Sequence, residues 1–134
     1  MTRASNTYVD AELKDLTTWK IGGKTQVFLP KDLQQLSEFI QIYKGKIAVI
    51  GYGSNLLAPS QGFPGVCIVL KKNFSAYSLD DHILYAQSGL SCPKIAKLAS
   101  GHGYSVLNYL IGIPGSLGGA LIMNAGAHGR SLLS

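Results

Sequence analysis

Between Lys97 and Arg130 the chain contains no Asp, Glu, Lys or Arg. Charge is scarce elsewhere too, at 14% of 134 residues, and the other shortages narrow the field in turn. There are two cysteines, Cys67 and Cys92, with no CxxC between them, and no signal peptide. The expectation is a reduced, cytosolic protein rather than a disulfide scaffold. Adjacent basic residues are confined to Lys71 and Lys72, so a formal charge of +5 does not form a nucleic-acid footprint. His82, His102 and His128 have no ligand-like spacing to Cys or a carboxylate, and no metal is expected. The uncharged run from Tyr104 to Ala127 has the length of a bilayer span, and Gly115 and Gly119 have GxxxG spacing. Pro114, Asn108, Asn124 and the glycines break it, leaving no continuous apolar segment of roughly 20 residues. A membrane protein is the weakest reading.

What the chain has in excess is glycine, 16 of 134 residues or about 12%, against a usual share of about 7%. It clusters at 112, 115, 118, 119, 126 and 129, in the second half of the uncharged run. Glycine loses more backbone entropy on folding than any other residue. A cluster of it therefore marks positive φ, or backbone that something must approach closely.

The length suits one domain with a real core. Residues 1–15 are polar without a clear period. Gly22 and Gly23 make a turn before a short strand at Val27 to Leu29, closed by Pro30. Leu33, Leu36, Phe39, Ile40 and Tyr43 have helical spacing, with Gly45 as the stop. The apolar run IAVI, 47–50, reads as a buried strand, so strand, helix and strand suggest a small parallel unit. VCIVL, 66–70, is a second apolar strand, and FSAYSL with HILYAQSG forms a hairpin across Asp80 and Asp81. A helix follows, with Ser91 as cap, Pro93 in its first turn and Gly101 as stop.

Two loops have the chemistry to hold phosphate. GYGSNLL, 51–57, leaves a strand with two glycines, a hydroxyl and an amide, and successive N–H groups in such a turn can form a nest for oxygens. An ordinary tight turn with Asn55 left-handed is the plainer reading of that loop taken alone. GIPGSLGG, 112–119, suggests a turn and then a short helix, with free N–H groups around Gly115 to Gly118 facing an anion. Its plainer reading is close packing of a glycine-rich helix. Neither loop has a carboxylate to oppose a diphosphate. IGGKT at 21–25 is not a P-loop, because Thr18 stands where the first glycine belongs, and GYGSNL has Leu56 in place of the third glycine of a Rossmann fingerprint.

TTWKIGGK, GYGSNLL and GIPGSLGGALIMNAGAHG resemble, in order and spacing, the N-terminal FAD-binding region of the UDP-N-acetylenolpyruvoylglucosamine reductases, from about Leu16 to Gly129. The resemblance implies an α+β FAD-binding fold of the PCMH/vanillyl-alcohol-oxidase-like type. It has two small α+β subdomains, about residues 1–70 and 71–134, with the second truncated. By position, Gly51, Gly53, Ser54, Asn55 and Leu56 belong to the first loop holding the FAD diphosphate. Gly112, Ile113, Pro114, Gly115, Ser116, Gly118, Gly119 and Ala120 belong to the second. Asn124, Ala125 and Gly126 lie near the cofactor, and Thr18, Gly22 and Gly23 support it.

In the family, NADPH passes hydride to the flavin and the flavin to the enolpyruvyl group, giving UDP-N-acetylmuramate for peptidoglycan synthesis in the cytoplasm. The chain departs from the usual pattern at Asn108, where an acidic residue is usual, at His128, usually aromatic, and at Ser131, usually Glu. The family's substrate domain, later arginine, proton-donating serine and C-terminal glutamate have no counterpart in this sequence. The expected partners are therefore FAD, a UDP-sugar only with the other domain, and a second copy or a partner covering the truncated edge, with neither nucleic acid nor membrane. A degenerate, cofactor-free interaction module remains the alternative.

Overall fold

The computed structural model describes residues 8–133, which divide into two compact units, one ending at Asn73 and the other beginning at Phe74. In the first, β1 (Val9–Glu12) leads through a turn of 3-10 helix, Leu13–Asp15, towards β2 (Lys24–Phe28). Helix α1 (Leu33–Ile42), β3 (Ile47–Ile50) and β4 (Val66–Val69) follow. The four strands form one sheet in the order β1-β2-β4-β3, with β1 antiparallel to β2, and both β2 and β3 parallel to β4. The expected parallel unit exists, but β4 is inserted between its two strands.

That insertion decides which apolar run is buried. All four residues of β4 are buried, because it lies inside the sheet and both of its faces are covered. Val66 and Ile68 pack with Phe28 and with Phe39 of α1, while Cys67 and Val69 pack with Leu13, Val27, Ile50 and Ala58. β3 was expected to be buried and is an edge strand instead, with only Ile50 buried and Val49 64% exposed. β1, absent from the sequence reading, is the other edge, and its outward Val9 and Asp10 leave no apolar alternation to detect.

Helix α1 begins where Asp32 accepts a hydrogen bond from the amide of Gln35 at 2.8 Å, and the Gln35 side chain accepts one from the amide of Lys31 at 2.7 Å. The helix ends at Tyr43, two residues before the expected glycine stop, and the Tyr43 ring stacks on Phe39 at 5.0 Å. Asp32→Ala removes the acceptor of an otherwise unpaired helix N–H, and urea unfolding is expected to show a loss of about 1 kcal/mol.

In the second unit, β5 (Tyr77–Asp80) and β6 (Ile83–Ala86) form an antiparallel hairpin whose turn residues are Asp81, at φ +50°, and His82. Helix α2 (Cys92–Gly101) follows Ser91, whose side chain makes no capping bond. Gly101 is the helix's last residue rather than its stop, and the left-handed glycine is Gly103, at φ +84°. A 3-10 turn, Asn108–Gly112, leads to α3 (Leu117–Ile122) and a small hairpin of β7 (Gly126–Ala127) and β8 (Arg130–Ser131). The core of this unit joins Leu90, Cys92, Ile95 and Ala96 to Leu110, Ile113 and Ala120. Cys67 and Cys92 are both buried, which pushes their thiols up and leaves them inert structural side chains at neutral pH. No helix among the described residues is long and apolar enough to cross a membrane.

Candidate functional site

The first glycine loop leaves the C-terminal end of β3 and is tied to the segment before β2. Gly53 is buried at φ +68°, and its carbonyl accepts the amide of Thr18 at 3.0 Å. A Cβ on Gly53 would lie 1.9 Å from the carbonyl oxygen of Leu16. Gly22 and Gly23 continue the same knit. Their carbonyls accept the amides of Lys14 and Leu13, and a Cβ on Gly23 would meet the Ser60 carbonyl at 2.2 Å. Thr18, Gly22 and Gly23 are thus backbone braces beneath the loop. Ser54 is half-buried, Asn55 is exposed, and Leu56 packs against the cluster around Val69.

The second loop is held differently. Ser116 is buried and caps α3, its hydroxyl accepting the amide of Gly119 at 3.3 Å. The next two amides are already engaged: Leu117 donates to Leu90 and Gly118 to Ser88, both at 2.8 Å, and Cys92 donates back to Gly115 at 3.0 Å. These bonds correct the expectation of free N–H groups as far as Gly118. They clamp the loop to the segment before α2, and only Gly115 and Ser116 keep amides without an acceptor among the described residues. The clamp uses the carbonyls of Ser88 and Leu90, which carry no side-chain signature and were invisible to the sequence reading.

Further along, Ala120 is buried and its carbonyl accepts the amide of Ala125 at 2.8 Å. Asn124 is left-handed at φ +46°, and its side-chain oxygen accepts the amide of Leu133 at 3.1 Å. Asn124 therefore turns the chain out of α3 and holds the turn that follows β8. Gly126 lies against the backbone of Arg130 across the small hairpin, where a Cβ would come within 2.4 Å of the Arg130 carbonyl.

A family model described as FAD binding domain matches residues 25–133. The chain belongs to the FAD binding domain family. It is 43% identical over 121 residues to the UDP-N-acetylenolpyruvoylglucosamine reductase of Geotalea uraniireducens, covering 87% of this chain and 40% of that relative. The enzyme of that name from Nitrosospira multiformis is 36% identical over 127 residues, covering 90% and 37%. The crystal structure of UDP-N-acetylenolpyruvylglucosamine reductase from Thermus caldophilus aligns with a TM-score of 0.81 at 31% identity, over 93% of this chain and 45% of that one. The chain thus spans about two fifths of the length of these relatives, and it has their mixed α and β FAD-binding fold.

Whether an FAD-binding domain's residues suit FAD can be tested on its glycines. Gly53 and Gly118 are required by the fold, since a Cβ on Gly118 would stand 2.9 Å from the Cβ of Ser88. Gly112 and Gly119 are not. No fold-imposed positive φ or backbone neighbour demands glycine there: a Cβ on Gly112 meets nothing within 4 Å, and one on Gly119 meets only the Ser116 hydroxyl, at 3.4 Å. Glycine at such positions leaves the peptide backbone bare to an incoming ligand. The residues present fit a diphosphate, with bare backbone at 112 and 119, amides at 115 and 116 that have no acceptor among the described residues, and no carboxylate on either loop.

Proposed function

We propose that this chain holds FAD by its diphosphate. Gly112, Gly115, Ser116 and Gly119 form the contact surface of the second loop, and the resemblance assigns Gly51, Ser54 and Asn55 of the first loop to the same cofactor. The observation that carries the reading is the pair of exposed glycines, Gly112 and Gly119, for which packing supplies no reason. Ile113, Pro114 and Ala120 shape that loop from within or beside it, while Gly53, Leu56, Gly118, Asn124, Ala125 and Gly126 act through the backbone they hold in place.

The wider role follows from the relatives' name. The chain is the cofactor-holding portion of a UDP-N-acetylenolpyruvoylglucosamine reductase, an NADPH-dependent enzyme forming UDP-N-acetylmuramate in the cytoplasm. Bound FAD would supply hydride transfer, and the protein's part is to grip and orient it. The amides of Gly115 and Ser116 donate to phosphate oxygens, and the clamp from Ser88 and Leu90 keeps those donors fixed. We assign this chain cofactor retention without turnover of the enolpyruvyl sugar.

Titration of the purified chain followed by flavin absorbance and fluorescence tests both parts. FAD is expected to bind and FMN, which has no diphosphate, to bind at least about tenfold more weakly, the loss of charge-assisted hydrogen bonds being worth that much. Equal affinity for the two, or no flavin bound by a folded chain, would overturn the diphosphate grip in favour of a cofactor-free interaction module. NADPH-dependent reduction of the enolpyruvyl sugar by the chain alone would overturn the assignment of retention without turnover.

A further inference from the structure

Asn108 and His128 line one pocket of about 310 Å³ in the second unit, together with Ser105, Tyr109 and Arg130. The fold brings them there by two routes. Asn108 and Tyr109 open the 3-10 turn before the second glycine loop. His128 occupies the turn between β7 and β8 at φ +54°, with Arg130 just beyond it. The Arg130 guanidinium donates to the carbonyl of Val106 at 3.3 Å, which anchors one of its five N–H groups and leaves the fork beside the pocket.

Every lining side chain carries a hydrogen-bond donor and none is a carboxylate. The surrounding sequence agrees: from His82 to Ser134 there is no Asp or Glu at all, while Lys94, Lys97 and Arg130 are cationic. Burial pushes the Tyr109 hydroxyl up, the neighbouring Cys92 adds to this and Arg130 opposes it, so the phenol keeps its proton and remains a donor at neutral pH. Tyr109 is half-buried and the other four lining residues are exposed, so this is a shallow surface pocket, the size for a compact group rather than a dinucleotide.

We propose that this pocket is a separate binding site for a small phosphate-bearing anion, held by Arg130 with Asn108, His128, Ser105 and Tyr109 as hydrogen-bond donors. A guanidinium matches a phosphate edge with two parallel bonds, and a carboxylate-free lining keeps that attraction uncancelled.

The test is a titration of the chain with inorganic phosphate at constant ionic strength, reading the ring resonances of His128 and Tyr109. Saturable shifts are expected, and Arg130→Gln should weaken the affinity at least about tenfold by removing the charge. Asn108→Asp should do the same by placing a carboxylate in the lining, which keeps the test valid if the arginine variant fails to fold. Shifts that grow linearly without saturation, or the same affinity in both variants, would overturn the proposal. A final arm repeats the titration with FAD present. Unchanged phosphate affinity supports a separate site, whereas competition would make the pocket part of the cofactor's own phosphate contacts and overturn the separation.

Discussion

Gly53→Ala is expected to destabilise the chain by about 2–5 kcal/mol, enough to threaten folding of a domain whose whole stability is of order 5–15 kcal/mol. Two costs add. Gly53 sits at φ +68°, a left-handed conformation that costs an L-residue roughly 1–2 kcal/mol. Its new methyl would also be placed 1.9 Å from the Leu16 carbonyl oxygen and 2.9 Å from the Cα of Thr17, both backbone atoms that no rotamer change can move aside. Relief requires shifting either the loop or the braces beneath it, and overpacking of this kind costs typically 1–3 kcal/mol. The same movement endangers the bond from the Thr18 amide to the Gly53 carbonyl. Urea denaturation should give a lower midpoint with the slope unchanged. A loss below about 1 kcal/mol would mean that the loop floats free of residues 16–18.

How far the molecule could be read from its residues depends on what carried the information. The β4 run was legible because a strand covered on both faces needs four apolar residues in succession, and Val66 to Val69 supply them. The run Ile47 to Ile50 looks alike in sequence and is nonetheless an edge strand, since composition does not say which strand the chain will insert between two others. β1 left no trace because its exposed residues show no alternation. The two loops were legible as special from their glycines, yet the reason for each glycine was not. Gly53 and Gly118 answer to neighbouring backbone and side chains, while Gly112 and Gly119 answer to nothing in the fold. The donors of Leu117 and Gly118 looked available until the carbonyls of Leu90 and Ser88, which any residue type could offer, proved to take them.

That division among the glycines makes Gly112→Ala the sharpest experiment on the cofactor site. Gly112 ends a 3-10 turn, is exposed, and would present its new methyl to open space. Stability should therefore stay within about 0.5 kcal/mol, or rise by up to about 1 kcal/mol as the unfolded chain loses freedom. Flavin affinity is expected to move the other way, falling at least about tenfold, because a methyl standing on bare backbone holds a diphosphate off the amides of Gly115 and Ser116. A hydrogen bond lengthened beyond about 3.5 Å is no longer one, and bonds to a charged group are worth roughly 1.5–3 kcal/mol each. The two readouts separate the causes. A chain that melts like the parent yet no longer discriminates FAD from FMN has lost a contact and not its fold. Retention of full affinity would move the diphosphate away from Gly112, and Gly119, beside the capping hydroxyl of Ser116, would then be the position through which the ligand approaches.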